Sequence, residues 1–194
     1  FSASQIADLF AQLMHDILGY SKFAAQGGDW GSFITTRLAF AHPELLHGIH
    51  LNLLAVRRDP DLLKIKLSRE DQKYESQLKH FLKEEIGYQW IQGTKPQTLS
   101  YGLNDSPVGL AAWIIEKFFS WTDCKGDLES YLGKDKLLTN IMIYWITGSI
   151  GSSFWPYYAR HHGEWPVPDG KVIDVPTGYI QFPKEILQPP KQVA

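Results

Sequence analysis

The sequence predicts an α/β fold: a partial parallel sheet flanked by helices, with an all-helical cap inserted into it. Three observations support this class. The first 54 residues alternate between helical periodicity and short apolar runs, in the order of a βαβ unit. Signals over 61–162 are almost all helical, and signals from 171 onward return to those of a strand. We therefore divide the chain into a core segment over 1–56, a helical cap over 57–165 and a return to the core over 166–194.

A helix and a strand are predicted at the start of the chain. Apolar residues recur at helical spacing over 4–18, where Ser4 is the candidate N-cap and Gly19 the candidate end. The run over 20–26 is rich in aromatic and small residues, and we interpret it as a buried strand.

The turn after this strand leads into a second helix and a second strand. The helix is predicted to run from Ser32 to a stop near Pro43, and Gly48–Leu54 is predicted as another buried strand. Strands joined through a helix run parallel in one sheet, so helices should cover the faces of this sheet.

The cap is predicted to be built from amphipathic and apolar helices. The stretch over 67–86 is charged and amphipathic. Ser106-Pro107 is a strong helix start, because a hydroxyl cap precedes a proline at the first helical position. It opens an apolar helix over 107–121, and another apolar helix is predicted over 135–150. The only charged side chains of the first apolar helix are Glu116 and Lys117.

The composition changes on both sides of the cap. Arg57-Arg58-Asp59-Pro60 separates the cap from the first core segment, and a proline-rich turn over 166–170 separates it from the second. Residues 171–175 and 176–182 are predicted as a strand region that rejoins the sheet.

The turn Gly27-Gly28-Asp29-Trp30-Gly31 has the pattern of a nucleophile elbow, small-x-nucleophile-x-small, with aspartate as the nucleophile. A strand that turns sharply into a helix leaves the middle side chain exposed on strained backbone, and small neighbours on both sides avoid collisions. The amide N–H of Trp30, at the helix start, could then face a developing oxyanion. The alternative interpretation is a glycine-rich turn in which Asp29 caps the next helix.

A carboxylate nucleophile favours a particular reaction class. It suits displacement at a saturated carbon, where it forms an ester that water later hydrolyses. Epoxides and alkyl halides are the two substrate classes that fit. An epoxide oxygen develops alkoxide charge and needs O–H donors, whereas a halide is bound by weaker donors such as an indole N–H.

Four separated blocks of sequence carry a family resemblance. They are AQGGDWGS, GLNDSPVGLAAWIIEKF, YWITGSI and VPTGYIQFPKEI, in this order along the chain. Together they are similar to the microsomal-type epoxide hydrolases, a group that includes the juvenile-hormone epoxide hydrolases. The resemblance runs from about Ile6 to Pro190. It implies an α/β-hydrolase core with an inserted cap, and an enzyme that converts epoxides to vicinal diols in detoxification.

Two residues of the core acquire roles from this resemblance. Asp29 matches the nucleophile, and Glu185 matches the charge-relay acid that orients the catalytic histidine. Trp30, beside the nucleophile, is expected to contact the substrate. The alternative for Glu185 is an ordinary surface charge beside Lys184.

The resemblance also implies two tyrosines in the cap that polarise the epoxide oxygen. Tyr88 matches the first. Tyr157 matches the second by its distance from the YW pair of the third block, and the adjacent Tyr158 is the alternative. Without the resemblance, these tyrosines would be interpreted as core aromatics.

The histidine that the resemblance places after Glu185, in a Gly-Gly-His-Phe context, is absent from the 194 residues, as is the His-Gly-x-Pro segment expected before the elbow. The seven histidines are His15, His42, His47, His50, His80, His161 and His162. We interpret the pair at 161–162, beside Glu164, as a solvated cap edge and expect no metal and no cofactor. We therefore expect an internal fragment of a longer enzyme, able to alkylate Asp29 but unable to turn over.

Composition limits the partners and the location. The net charge of −2 gives no electrostatic reason to expect nucleic acid or an anionic membrane surface. No apolar run approaches the ~20 residues of a membrane span. Any N-terminal membrane anchor would have to precede Phe1. The single Cys124 is compatible with a reducing compartment, so we expect a cytoplasmic protein.

Two further interpretations compete with the epoxide hydrolase. The first is a haloalkane dehalogenase, which also uses an aspartate nucleophile, but the tyrosine-bearing cap motifs argue against it. The second is a non-catalytic fragment that needs a complementing chain to supply the missing sheet. The expected partners are therefore a small apolar epoxide and a second polypeptide, either a complementing chain or a second copy in a homodimer.

Overall fold

The computed structural model describes residues 1–56 and 69–191. In these residues, a small parallel sheet is built from both ends of the chain, and a block of helices is built from its middle. The composition change at 57–60 lies outside the described residues, so the exact division into core and cap stays a prediction.

Helix α1 spans Ala3–Gln12 and continues as a π-helical turn over Leu13–Ile17. The predicted helix is confirmed, but its cap is Ser2 and the prediction of Ser4 is wrong. The Ser2 hydroxyl accepts a hydrogen bond from the Gln5 amide at 3.2 Å, and the Gln5 side chain accepts one from the Ser2 amide at 2.9 Å. This reciprocal pair needs a glutamine or glutamate three residues after the cap, which Ser2 has and Ser4 lacks.

The βαβ unit consists of strand β1 (Phe23–Gly27), helix α2 (Trp30–Ala41) and strand β2 (Leu46–Leu51). The two strands are parallel, and their carboxyl ends are aligned because Gly27 pairs with Leu51. The predicted order of elements is therefore confirmed, although each strand is displaced by a few residues from its predicted bounds. The tight turn between β1 and α2 lies at the carboxyl edge of the sheet, where open α/β folds place their ligands.

Strand β3 (Thr177–Tyr179) pairs in parallel with β2 and completes the order β1-β2-β3. The strand predicted over 171–182 is wrong in its length. The Pro176 carbonyl accepts a hydrogen bond from the Ile49 amide at 2.9 Å, but Pro176 has no N–H to donate in return, and the strand begins only after it. Residues 171–175 form no strand, although Val175 is buried in the core.

One hydrophobic core joins the sheet to α1 and α2. Small residues on α1 let the two helices approach closely, and the larger side chains come from α2 and the strands. The buried members are Ala7, Ala11, Phe23, Leu38, Ala39, Leu46, Ile49, Leu51 and Val175. Since members come from both ends of the chain, the returning segment is part of the same packed layer.

The middle of the chain is helical, as predicted. Its helices are α3 (Arg69–His80), α4 (Gly87–Thr94), α5 (Pro96–Asp105), α6 (Pro107–Trp121), α7 (Leu128–Leu132), α8 (Lys134–Thr147), α9 (Ile150–Ser153) and α10 (Trp155–His162). A π-helical turn, Phe81–Glu85, joins α3 to the start of α4. The predicted start of α6 is confirmed, because the Ser106 hydroxyl accepts a hydrogen bond from the Gly109 amide at 3.0 Å.

The cap helices have hydrophobic clusters of their own. One consists of Leu103, Leu110, Ile141, Ile150 and Phe154, and a second of Cys124, Leu128 and Leu137. Neither shares a residue with the core of the sheet. Among the helices described here, none is long and apolar enough to cross a membrane.

Candidate active site

The elbow holds Asp29 in a strained conformation. Its φ of 48° and ψ of −124° fall in a region that non-glycine residues rarely adopt. Asp29 occupies the N-cap position of α2, yet its side chain makes no capping hydrogen bond. The alternative of an ordinary helix cap therefore lacks the contact that would define it, and the carboxylate is left exposed at the carboxyl edge of the sheet.

Glycine is required on the strand side of the elbow. A Cβ at Gly27 would overlap the carbonyl oxygen of Gly31 and lie 2.6 Å from the hydroxyl of Thr35, and a Cβ at Gly28 would overlap the side-chain amide of Asn52. On the helix side the prediction is wrong, because a Cβ at Gly31 would meet nothing within 4 Å. The Gly27 backbone therefore packs closely against the first turn of α2.

This difference makes a test of the elbow. We expect Gly27→Ala to lower the free energy of unfolding by about 1–3 kcal/mol, since the added methyl must displace backbone rather than a mobile side chain. The matched change Gly31→Ala should alter it by less than about 1 kcal/mol. Urea unfolding followed by circular dichroism measures both. Equal losses in the two variants would contradict the packing described here.

Three aromatic side chains connect the elbow to the cap. The ring of Trp30 packs edge-on against Tyr157 of α10, with centroids 4.8 Å apart. Tyr157 in turn packs edge-on against Tyr88 of α4 at 5.7 Å. Tyr158 is 45% exposed and stacks on His162 at 4.1 Å instead. Of the two adjacent tyrosines, the geometry therefore places Tyr157 beside the elbow.

The electrostatic surroundings of Tyr157 favour the protonated phenol. Burial, then the neighbouring Tyr88 and then the Asp29 carboxylate raise the pKa of Tyr157. The indole N–H of Trp30 lies near enough to offset part of this rise. That N–H is buried, but it meets no acceptor in hydrogen-bond geometry within the described part of the chain. Tyr157 is thus a hydrogen-bond donor close to a carboxylate.

Glu185 follows β3, as Asp29 follows β1, so both lie beyond the carboxyl ends of parallel strands. The side chain of Glu185 is half-buried and accepts a hydrogen bond from the Ile186 amide at 3.0 Å. Burial first, and then the charge of Glu185, raise the pKa of Tyr179, the last residue of β3. The carboxylate of Glu185 therefore lies near the end of β3.

Gln188 fixes the loop that carries Glu185. Its amide nitrogen donates to the carbonyls of Phe182 and Pro183 at 2.9 and 3.1 Å. Its carbonyl accepts from Lys73 at 2.6 Å and from Gln77 at 3.3 Å, both on α3. A buried side chain with all these partners ties the Glu185 loop to the first described cap helix.

A charged cluster around Tyr88 was not predicted to belong to the site. Lys117 and Trp121 of α6 contact both the Tyr88 ring and Glu85 of the π-helical turn. The sequence does contain a signal for it, because Glu116 and Lys117 are the only charges in an otherwise apolar helix. Charges in such a helix are retained where a partner holds them.

No group of three histidine, cysteine, aspartate or glutamate side chains in the described residues is arranged to hold a metal ion. The polar groups collected at the elbow are a carboxylate, two phenols and an indole. Such a set can attack a carbon atom and donate hydrogen bonds to a departing oxygen.

The chain is similar over its whole length to known proteins, although no protein-family model matches it. It is 43% identical over 194 residues to a protein of Stigmatella aurantiaca that is named as a candidate epoxide hydrolase, covering 100% of this chain and 43% of the relative. Among solved structures, the juvenile hormone epoxide hydrolase of the silkworm Bombyx mori is 33% identical with a TM-score of 0.73, and the chain covers 44% of it. An Aspergillus niger epoxide hydrolase is 28% identical with a TM-score of 0.79, and the chain covers 48% of it.

These similarities agree with the four sequence blocks and with the parallel sheet that carries a block of helices. The chain spans less than half the length of the relatives that it matches. The chain is therefore similar, over its whole length, to one part of epoxide hydrolases, and it shares the fold of that part of the solved structures.

Proposed function

We propose that the protein hydrolyses small apolar epoxides to vicinal diols through a covalent ester on Asp29. The observation that carries this proposal is the elbow itself: a strained, uncapped carboxylate beside a phenol whose pKa is raised. A carboxylate on strained backbone that makes no capping hydrogen bond supports a chemical role.

In the first step, a carboxylate oxygen of Asp29 attacks a ring carbon and the carbon–oxygen bond of the epoxide breaks. Tyr88 and Tyr157 donate hydrogen bonds to the departing oxygen, and one of them supplies the proton that makes it a hydroxyl. Trp30 contacts the substrate beside the nucleophile, and its backbone amide, at the first position of α2, has no acceptor within the helix.

In the second step, water hydrolyses the ester and releases the diol. A base must remove a proton from that water, and we assign this role to a histidine other than the seven in the 194 residues. Glu185 would orient this imidazole and stabilise its charged form. Its position beyond the end of β3 supports this role, because Asp29 lies beyond the end of β1 at the same edge of the sheet.

Trapping the ester tests the proposal. Full-length protein is mixed with styrene oxide, the reaction is quenched with acid, and the mass of the protein is measured by mass spectrometry. We expect a mass increase of one epoxide, located on the peptide that contains Asp29. In ¹⁸O-labelled water, the first turnover should yield a diol without the label, since its new oxygen comes from Asp29. A labelled diol in that turnover would show direct attack by water and contradict the ester.

Haloalkane dehalogenation is a second candidate, favoured by one observation. The buried indole N–H of Trp30 lacks a hydrogen-bond acceptor among the described residues, and such a donor can bind a halide. Release of chloride or bromide from a short alkyl halide would support this reaction. The two phenols above the elbow favour the epoxide, because hydroxyl groups are the stronger donors to an alkoxide.

The expectations of a cytoplasmic location and of a homodimer or complementing chain stay predictions. Both expectations concern the whole protein. The relatives are more than twice as long as the segment that this chain matches.

A further inference from the structure

Lys117 lies at the centre of a partly buried charged cluster in the cap. Its ammonium group is 2.8 Å from a carboxylate oxygen of Glu85 and 2.9 Å from one of Glu116. The same oxygen of Glu85 accepts a hydrogen bond from the indole of Trp121 at 3.0 Å. Only 23% of the Lys117 side chain and 16% of the Glu85 side chain are exposed. Because removing these charges from water is costly, the cluster is not an ordinary surface ion pair.

This cluster packs against Tyr88. The Lys117 nitrogen lies 5.5 Å from the centre of the Tyr88 ring and 5.2 Å from that of Trp121. The two rings are in edge-on contact at 5.4 Å. Glu85 is the last residue of the π-helical turn that precedes α4, so the same irregular turn places both Glu85 and Tyr88. Such π-helical turns are frequent at functional sites.

We propose that Lys117 and Glu85 are positioning residues that set the donor strength of the Tyr88 hydroxyl, to which the side-chain amide of Gln89 donates a hydrogen bond at 2.8 Å. The inference rests on the proposed function, in which Tyr88 donates to the oxygen of the opening epoxide. A cation over an aromatic ring stabilises negative charge that develops on the phenol oxygen as this donation proceeds. The carboxylate of Glu85 counters that cation and limits its effect.

The charged and titratable groups around Tyr88 come from three elements. Lys117 and Glu116 lie on α6, and Glu85 lies on the π-helical turn. On the third side, α10 contributes the phenol of Tyr157, beyond which lies Asp29. Burial lowers the pKa of Lys117, but its hydrogen bonds to Glu85 and Glu116 outweigh burial and the pKa is raised overall. Lys117 therefore remains a cation through the neutral range and into alkaline pH.

The two residues should have opposite effects on the pH dependence. Removing the cation makes the Tyr88 phenol harder to ionise, so Lys117→Met should move the alkaline limb of the rate profile to higher pH. Glu85→Gln keeps an oxygen for Trp121 and Lys117 but removes the countercharge, so it should move that limb to lower pH. We expect each displacement to be about 0.5–1 pH unit, with about a tenfold lower rate in Lys117→Met.

The measurement is the rate of Asp29 alkylation by styrene oxide in the full-length protein, followed in a single turnover between pH 6 and pH 10.5. Lys117→Arg keeps the charge and should keep the position of the alkaline limb. Lys83→Met is the matched control, because Lys83 pairs with Glu84 on the same turn but is 81% exposed. If Lys117→Met does not fold, the other two variants still test the inference. The alkaline limb should move to lower pH in Glu85→Gln and keep its position in Lys117→Arg.

Tyr88→Phe separates this inference from the proposed function. Should Tyr88→Phe react at the wild-type rate, the role of Tyr88 in the proposed function fails. Should it react slowly while Lys117→Met and Glu85→Gln leave the limb in place, or move it in the same direction, the inference about the cluster is overturned and the proposed function stands.

Discussion

Asp29→Ala should lower the rate of epoxide opening by at least about 10³-fold and abolish the covalent adduct. The variant keeps the backbone of the elbow but has no group that can attack carbon. Asp29→Asn should be almost as slow, because a neutral amide oxygen is a poor nucleophile. The decay of a chromogenic epoxide measures the rate, and mass spectrometry measures the adduct. Asp174→Asn, an exposed carboxylate before β3, serves as the control and should leave both unchanged.

The backbone at Asp29 allows loss of activity to be separated from loss of folding. A φ of 48° is unfavourable for aspartate and readily adopted by glycine. Asp29→Gly should therefore raise the free energy of unfolding by about 1–3 kcal/mol while the rate falls as in Asp29→Ala. An inactive variant that is more stable than the wild type identifies a residue selected for chemistry. A less stable Asp29→Gly would mean that Asp29 makes a stabilising contact, and the strain argument would then be wrong.

Features coded by neighbouring residues could be predicted from the sequence. The elbow needs a strand, five consecutive residues and a helix, and all three are contiguous between Phe23 and Ala41. The start of α6 needs only Ser106 and Pro107. The error at Ser4 has the same origin, since two nearby serines compete to cap α1 and a single side-chain contact to Gln5 decides between them.

Features that depend on distant residues could not be obtained in this way. Spacing alone left Tyr157 and Tyr158 as alternatives, and only the packing of α10 against α4 and the elbow distinguishes their surroundings. The predicted length of β3 was too great, because the composition of this segment does not show which of its residues pair with β2. The contact between Glu85 and Lys117 joins residues 32 positions apart, so local patterns cannot reveal it.

Tyr157→Phe should lower the rate of Asp29 alkylation by about 10²–10³-fold, the effect of removing one donor to a developing oxyanion. The phenylalanine ring can keep the edge-on contacts with Trp30 and Tyr88, so the loss should come from the hydroxyl alone. Tyr158→Phe is the matched control, because Tyr158 is adjacent but packs on His162 instead. Rates from single-turnover mixing with styrene oxide compare the two variants, and equal rates would remove Tyr157 from the proposed mechanism.

The pH dependence of the same reaction is a second test of the role of Tyr157, and the direction of its pKa shift predicts the outcome. Tyr157 donates a hydrogen bond only while it is protonated, and burial, Tyr88 and Asp29 all raise its pKa. Activity that depends on Tyr157 should therefore persist above pH 10, where an ordinary tyrosine has lost half of its protons. In Tyr88→Phe, where Tyr157 is the remaining phenol, the alkaline limb should disappear from the measurable range. A limb that stays near pH 10 in that variant would mean that the phenol of Tyr157 is accessible to water during the reaction. The inference of a buried Tyr157 donor would then be wrong.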